Sequence, residues 1–135
     1  MRWLLILGLI FYSHVAMAAE LWVADKVQYQ IKIAKTLKER QRGLMYVQTL
    51  PENAGMMFDM RQHGYKAMWM KNTYIPLDML FLDCQFKVVD IYEKAEPLSL
   101  KHITSPHDFC YVVEINGGQV EQKDLKIGDE VMLKD

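Results

Sequence analysis

Val27, Tyr29, Ile31 and Ile33 alternate with Gln28, Gln30 and Lys32, the period of two that marks a strand with one buried face. Thr36-Leu37-Lys38-Glu39 then matches a capping box, in which the threonine oxygen takes the N3 amide and the glutamate reaches back. The pattern predicts a short helix from Leu37 to about Tyr46, with Leu37 and Leu44 on one face. Gly43 costs such a helix about 1 kcal/mol relative to alanine, which points to a close approach or a break there.

Beyond the turn chemistry of Leu50 to Gly55, strands are predicted at Met56–Met60, Ala67–Met70, Leu77–Asp83 and Phe86–Tyr92. Pro97 and Pro106 bound a loop region. Cys110–Ile115 reads as a strong strand, and Asn116-Gly117-Gly118 turns it into a short helical or irregular stretch through Leu125. Gly128-Asp129 precedes a last strand, Glu130–Leu133. Short strands divided by turn signals predict a mostly β chain, a sandwich or small barrel with one or two short helices.

Residues 1–18 have a different character. Arg2 precedes an apolar run from Trp3 to Tyr12, and Ala16-Met17-Ala18 fits the small-x-small cleavage pattern of a secretory signal. The alternative, an uncleaved anchor, meets a run too short for the roughly 20 apolar residues of a span. The expected organisation is a signal peptide, 1–18, and a single β domain, 19–135, with no membrane span left after cleavage. Export in turn changes how Cys84 and Cys110 are read. An even pair in an oxidising space predicts a disulfide, worth roughly 3.5 kcal/mol by restricting the unfolded chain. Two buried thiols, or a reactive cysteine near His107, are the rival readings.

Charge narrows the partners. With 16 basic and 17 acidic residues the net charge is -1, so no electrostatic footprint for nucleic acid is present. No phosphate-cradling glycine loop, dinucleotide turn or CxxC pair occurs. Five methionines fall between Met56 and Met70, and thioethers suit Cu(I). Their spacing is equally that of gap-filling core residues. His63, His102 and His107 have no ligand spacing and read as loop residues. Neither a metal nor a cofactor is expected.

Two carboxyls and one loop remain. Asp78 shares a strand face with Leu80 and Leu82, and Glu114 shares one with Cys110 and Val112. A carboxyl so placed must be paired, hydrogen-bonded or protonated. Arg40, Arg42 and Lys71 are the cations available to it. In Met68-Trp69-Met70-Lys71-Asn72-Thr73, alternation puts Trp69 and Lys71 together, opposite Met68 and Met70. Trp69, Lys71 and Asn72 could form a platform for a sugar or planar ligand, unless Trp69 is simply core. The expectation is that Asp78 lies within direct or water-bridged reach of at least one of Lys71, Asn72, Thr73, Arg40 and Arg42, and that these groups line one concavity with Trp69.

Arg40-Gln41-Arg42-Gly43-Leu44-Met45, Gly55-Met56-Met57-Phe58, Trp69-Met70-Lys71-Asn72-Thr73 and Ile75-Pro76-Leu77-Asp78-Met79-Leu80-Phe81 resemble the successive motifs of the DUF192 (UPF0127) family. Glu114-Ile115-Asn116-Gly117-Gly118 and Ile127-Gly128-Asp129 resemble its closing motifs. The resemblance implies a small jelly-roll-like sandwich or barrel, commonly exported, and implies no reaction. Two functions follow as expectations. The first is a periplasmic or secreted, non-enzymatic binding or accessory module for a small polar ligand, glycan or envelope partner. Its candidate ligand-binding residues are Arg40, Arg42, Trp69, Lys71, Asn72, Asp78 and Glu114. The second is a hydrolase using Asp78 or Glu114, or both, as general acid and base, for which two carboxyls facing across a cleft would be the sign.

Overall fold

The alternation at Val27 does form a strand, in which Tyr29 and Ile31 are buried while Gln30 and Lys32 meet solvent. A computed structural model of the chain describes residues 19–62 and 64–134; the expected signal peptide lies outside the described residues. In chain order the elements are β1 (Ala19–Val23), β2 (Val27–Ala34), α1 (Leu37–Arg42), β3 (Ala54–Asp59) and β4 (Leu77–Leu82). β5 (Val88–Ala95), β6 (Tyr111–Asn116), α2 (Gln119–Gln122) and β7 (Val131–Lys134) follow. The strands form one seven-stranded sheet in the order β5-β4-β6-β3-β2-β1-β7. Only β2 and β3 run parallel, joined through α1; the other pairs are antiparallel.

The sheet is a curled half-barrel, so of the two expected architectures it is the barrel side that holds. Its outer strands approach at one corner. There Lys87 bridges Glu130, the Val88 amide donates to Asp129 O at 2.9 Å, and the Val131 amide donates to Phe86 O at 2.8 Å. The two faces of the central strands have separate cores. Leu80, Leu82, Val113 and Ile115 point into one, with Leu21, Tyr29 and Val131. Leu77, Met79, Phe81 and Val112 point into the other, with Phe58, Met68 and Met70. β4 is therefore buried at all six positions, as a strand covered on both faces must be.

The helix forms where the capping box starts it. The Glu39 amide donates to Thr36 Oγ1 and the Thr36 amide to Glu39 Oε1, at 3.1 and 3.0 Å. It ends at Arg42 rather than near Tyr46, because Gly43 takes φ +48°. A Cβ at Gly43 would also sit 3.1 Å from the Phe58 ring, so the break and the close approach are one feature.

Other boundaries differ from expectation for local reasons. β1 follows the apolar leader directly, and its few residues are masked by the cleavage pattern beside them. Ala67–Met70 is not a ladder strand: Met68 alone pairs, with Ile103. Its alternation survives, with Met68 and Met70 buried and Trp69 outward. β5 begins at Val88, not Phe86, because Asp83 Oδ1 accepts the Gln85 and Lys87 amides and holds Phe86 in a turn at φ +61°. Cys84, after β4, and Cys110, before β6, are joined by the expected disulfide, with their Cα atoms 5.1 Å apart.

Asp78 departs from expectation most. None of Lys71, Asn72, Thr73, Arg40 or Arg42 binds it. Its partners are three backbone amides: Lys94 N to Oδ1 at 2.8 Å, and Gly118 N and Val120 N to Oδ2 at 3.0 and 2.9 Å. Opposite Asp78 the β4–β5 register slips, and Lys94 takes φ +50° in the resulting bulge. Gly118, the N-cap of α2, has no capping side chain of its own, so Asp78 supplies the acceptor from another strand. Asp78→Asn puts an amide group where donors converge and is expected to cost about 3 kcal/mol. Urea unfolding checks this; an unchanged midpoint would remove the carboxylate from its tying role.

Candidate functional site

Glu114 sits on β6 directly opposite Met79, while Asp78 sits opposite Ile115. Facing residues in a ladder share a face and successive ones alternate, so the sheet lies between the two carboxyls. Glu114 belongs to the face that carries Phe58 and Met68. A cavity of about 210 Å³ opens over it. Phe58, Met60, Met68 and Leu44 line it with Glu114, together with Arg40, Arg42, Trp69, Lys71 and Thr73.

Three elements bring these groups together. β6 and β3 supply Glu114 and Phe58 from the rigid sheet. α1, lying in the parallel crossover from β2 to β3, supplies Arg40 and Arg42. The segment from Met60 to Thr73 supplies Trp69 and Lys71, with its methionines packed inward. Arg40 is held by its guanidinium: Nη1 donates to Lys35 O and to Asp59 O, while the buried Nε has no partner among the described residues. Lys71 Nζ lies over the Trp69 ring at 5.1 Å, and Arg42 lies over the Tyr46 ring at 5.8 Å. Cations held over aromatic faces are positioned without being neutralised.

A second, more open hollow of about 460 Å³ adjoins the first and shares Gln41, Arg42, Met45, Trp69 and Lys71 with it. Lys38, Tyr46 and Asn72 complete it. Asn72, at φ +52°, is committed to its turn: Nδ2 donates to Tyr46 Oη at 3.0 Å, and its carbonyl accepts the Tyr46 amide at 2.8 Å. Six of the seven expected residues thus line one continuous concavity, and Asp78 does not. Lys38, Gln41 and Tyr46 were not in the expected set. Lys38, Gln41 and Arg42 have the i, i+3, i+4 spacing of one helix face, and that signal was available.

Glu114 is 3% exposed. Its carboxyl gains neither a hydrogen bond nor a cation among the described residues, and burial alone pushes its pKa up to about 8. The acid is uncharged at neutral pH, so it can both donate and accept a hydrogen bond. Of the three states open to a buried carboxyl, Asp78 takes the hydrogen-bonded one and Glu114 the protonated one. Among the described residues the lining contains no second carboxyl and no imidazole. Among the described residues no three His, Cys, Asp or Glu side chains cluster as a metal site would require.

The architecture defines a β half-barrel with one acid-floored cavity under a short crossover helix. The chain belongs to the DUF192 family, described as an uncharacterized ACR, whose pattern matches residues 20–133. Two solved structures are similar to it. A protein of unknown function from Novosphingobium aromaticivorans DSM 12444 is 29% identical with a TM-score of 0.79, over 84% of this chain and 83% of that one. A protein from Sinorhizobium meliloti 1021, provisionally described as a transcription regulator, is 32% identical with a TM-score of 0.80, over 88% and 96%. No curated protein matches the chain.

The raised pKa has a measurable consequence. In the unfolded chain Glu114 ionises near 4.5, whereas the fold holds its proton to about 8. The fold therefore carries the extra proton between those values, and stability falls as pH rises through that window. Glu114→Gln removes this loss. Relative to pH 4, its stability advantage over the parent protein is expected to grow to on the order of 4 kcal/mol at pH 8 and then level off. Parallel melting curves from pH 4 to 9 check it, and a pH-independent difference would mean that Glu114 is ionised in the fold.

Proposed function

We propose that this protein is an exported, non-enzymatic binding module whose cavity over Glu114 takes a small polar ligand carrying negative charge. One observation carries the reading: a buried, unpartnered and uncharged carboxyl forms the floor of a cavity whose other ionisable groups, among the described residues, are all cations. An apolar cavity with a few convergent polar groups and a perturbed acid is what ligand recognition requires. Arg42 and Lys71 are exposed at the mouth, where they favour an anion without a desolvation cost. The Cys84–Cys110 disulfide supports residence in an oxidising compartment such as the periplasm. No helix among the described residues is long and apolar enough to cross a membrane.

A protonated glutamate near neutral pH also suits a general acid. The hydrolase alternative, however, keeps only Glu114, because Asp78 lies across the sheet and no other carboxyl among the described residues lines the cavity. Binding is therefore the reading preferred. The description of the Sinorhizobium protein as a regulator of transcription does not extend to DNA recognition in this chain. The two helices among the described residues of this chain span six and four residues, shorter than a groove-reading helix.

The test is a melting screen of the purified protein against D-glucuronate, succinate and phosphate. At least one anion is expected to raise the melting temperature, as a ligand bound only by the native state does. Lys71→Ala with Arg42→Ala should abolish the rise while leaving the unliganded melting temperature within about 2 °C, since both side chains are surface groups. Equal stabilisation of the parent and the double variant would place binding elsewhere.

A further inference from the structure

The cavity and the adjoining hollow differ in what they offer. The inner cavity is walled on one side by Leu44, Phe58, Met60 and Met68, while its polar lining is Arg40, Gln41, Arg42, Lys71, Thr73 and Glu114. The Thr73 hydroxyl already donates to Lys71 O at 3.1 Å. A sugar ring of matching size would carry hydroxyls all around its edge, and those turned toward Leu44, Phe58, Met60 and Met68 would be buried without a partner. An aliphatic or amphipathic side chain needs no such partners, and methionine walls adjust to its shape. If that side chain has a polar tip, the Glu114 acid can meet it as donor or acceptor.

The cations lie where the two hollows meet. Arg42 and Lys71 line both spaces, each steadied over an aromatic ring. The outer hollow continues the path past Lys38, Tyr46 and Asn72 and stays open to solvent. Leu37 lines the inner space, Tyr46 the outer and Trp69 both. All three stand 40% or more exposed, at 55%, 51% and 40%. Tyrosine and tryptophan at such positions are the residues enriched in protein-contacting surfaces.

We infer that the partner of this site is the carboxyl-terminal end of a polypeptide. Its last side chain enters the methionine-lined cavity, Arg42 and Lys71 hold the terminal carboxylate, and the preceding residues leave through the outer hollow. This inference rests on the anion-binding reading above and gives it a source. A chain terminus is the one place in a polypeptide where a carboxylate and a side chain branch from the same atom. That geometry matches a fixed pair of cations beside the entrance of a one-side-chain cavity. Capture of a terminal carboxylate is an established mode of peptide recognition, and the open outer hollow leaves the rest of the chain unconstrained.

The experiment uses a fluorescein-labelled hexapeptide pool, randomised at its last two positions, in two forms: free acid and carboxyl-terminal amide. Fluorescence anisotropy is read against the purified protein. The free-acid pool is expected to bind at least about tenfold more tightly than the amide, a difference of about 1.4 kcal/mol. Arg42→Ala with Lys71→Ala should bring the two pools to equal affinity. Equal binding of both pools to the parent protein overturns the inference. So does absence of peptide binding when D-glucuronate or polygalacturonate still raises the melting temperature; that result leaves the anion-binding reading standing and assigns the site to an acidic glycan. If neither peptide nor any anion binds, both readings fall together.

Discussion

A sheet buried on both faces gives its central strands nowhere to place a polar side chain in water, and here β4 and β6 each carry a carboxyl. Asp78 is accommodated by accepting three backbone amides, Glu114 by keeping its proton. The two solutions have opposite structural effects. The first spends three of a carboxylate's roughly four acceptor sites to join β4, β5 and α2. The second leaves a donor and an acceptor unspent at the floor of a cavity. Buried polar groups that satisfy themselves internally stabilise a fold; one left unsatisfied costs stability and is where a ligand has most to gain.

The cavity depends on how its walls are carried. Glu114 and Phe58 project from sheet strands and are fixed by packing, whereas the cations come from a six-residue helix and a loop. Gly43 links these levels. By ending α1 against the Phe58 ring it brings Arg40 and Arg42 over the sheet face rather than letting the helix run on past it. A floor carried by the sheet and a rim carried by a short helix and a loop is the usual division between scaffold and recognition surface.

Strands with clear alternation or an unbroken apolar run, β2, β4 and β6, were legible from the residues, as were the capping box and the cysteine pair. Face assignments within strands held as well, because period two is imposed by the backbone itself, except that Cys110, just before β6, packs with Val113 and Ile115 and not on the face of Glu114 and Val112. What could not be read was pairing across the sheet. Asp78 and Glu114 each lay on an apparently similar strand face, and only the register of β4 against β6 shows that the faces are opposite. The Asp78 partners are backbone amides some sixteen to forty-two positions away, and backbone donors leave no signature in residue types. Ala67–Met70 carries a strand's alternation without a strand's ladder because packing, not pairing, selects which of its side chains turn inward.

The strand order has a bearing on when this protein can become itself. β1 pairs with β2 on one side and with β7 on the other, and the corner beside Val131 is sealed against Phe86 and Val88. The first and last strands of the sheet's sequence are thus neighbours. No partially emerged chain contains both, so the sheet cannot finish from one end as it is made. Such long-range closure is slow and waits for the complete polypeptide. The last four-residue strand therefore acts as a latch, closing the sheet against β1 only once the chain through β7 has been made.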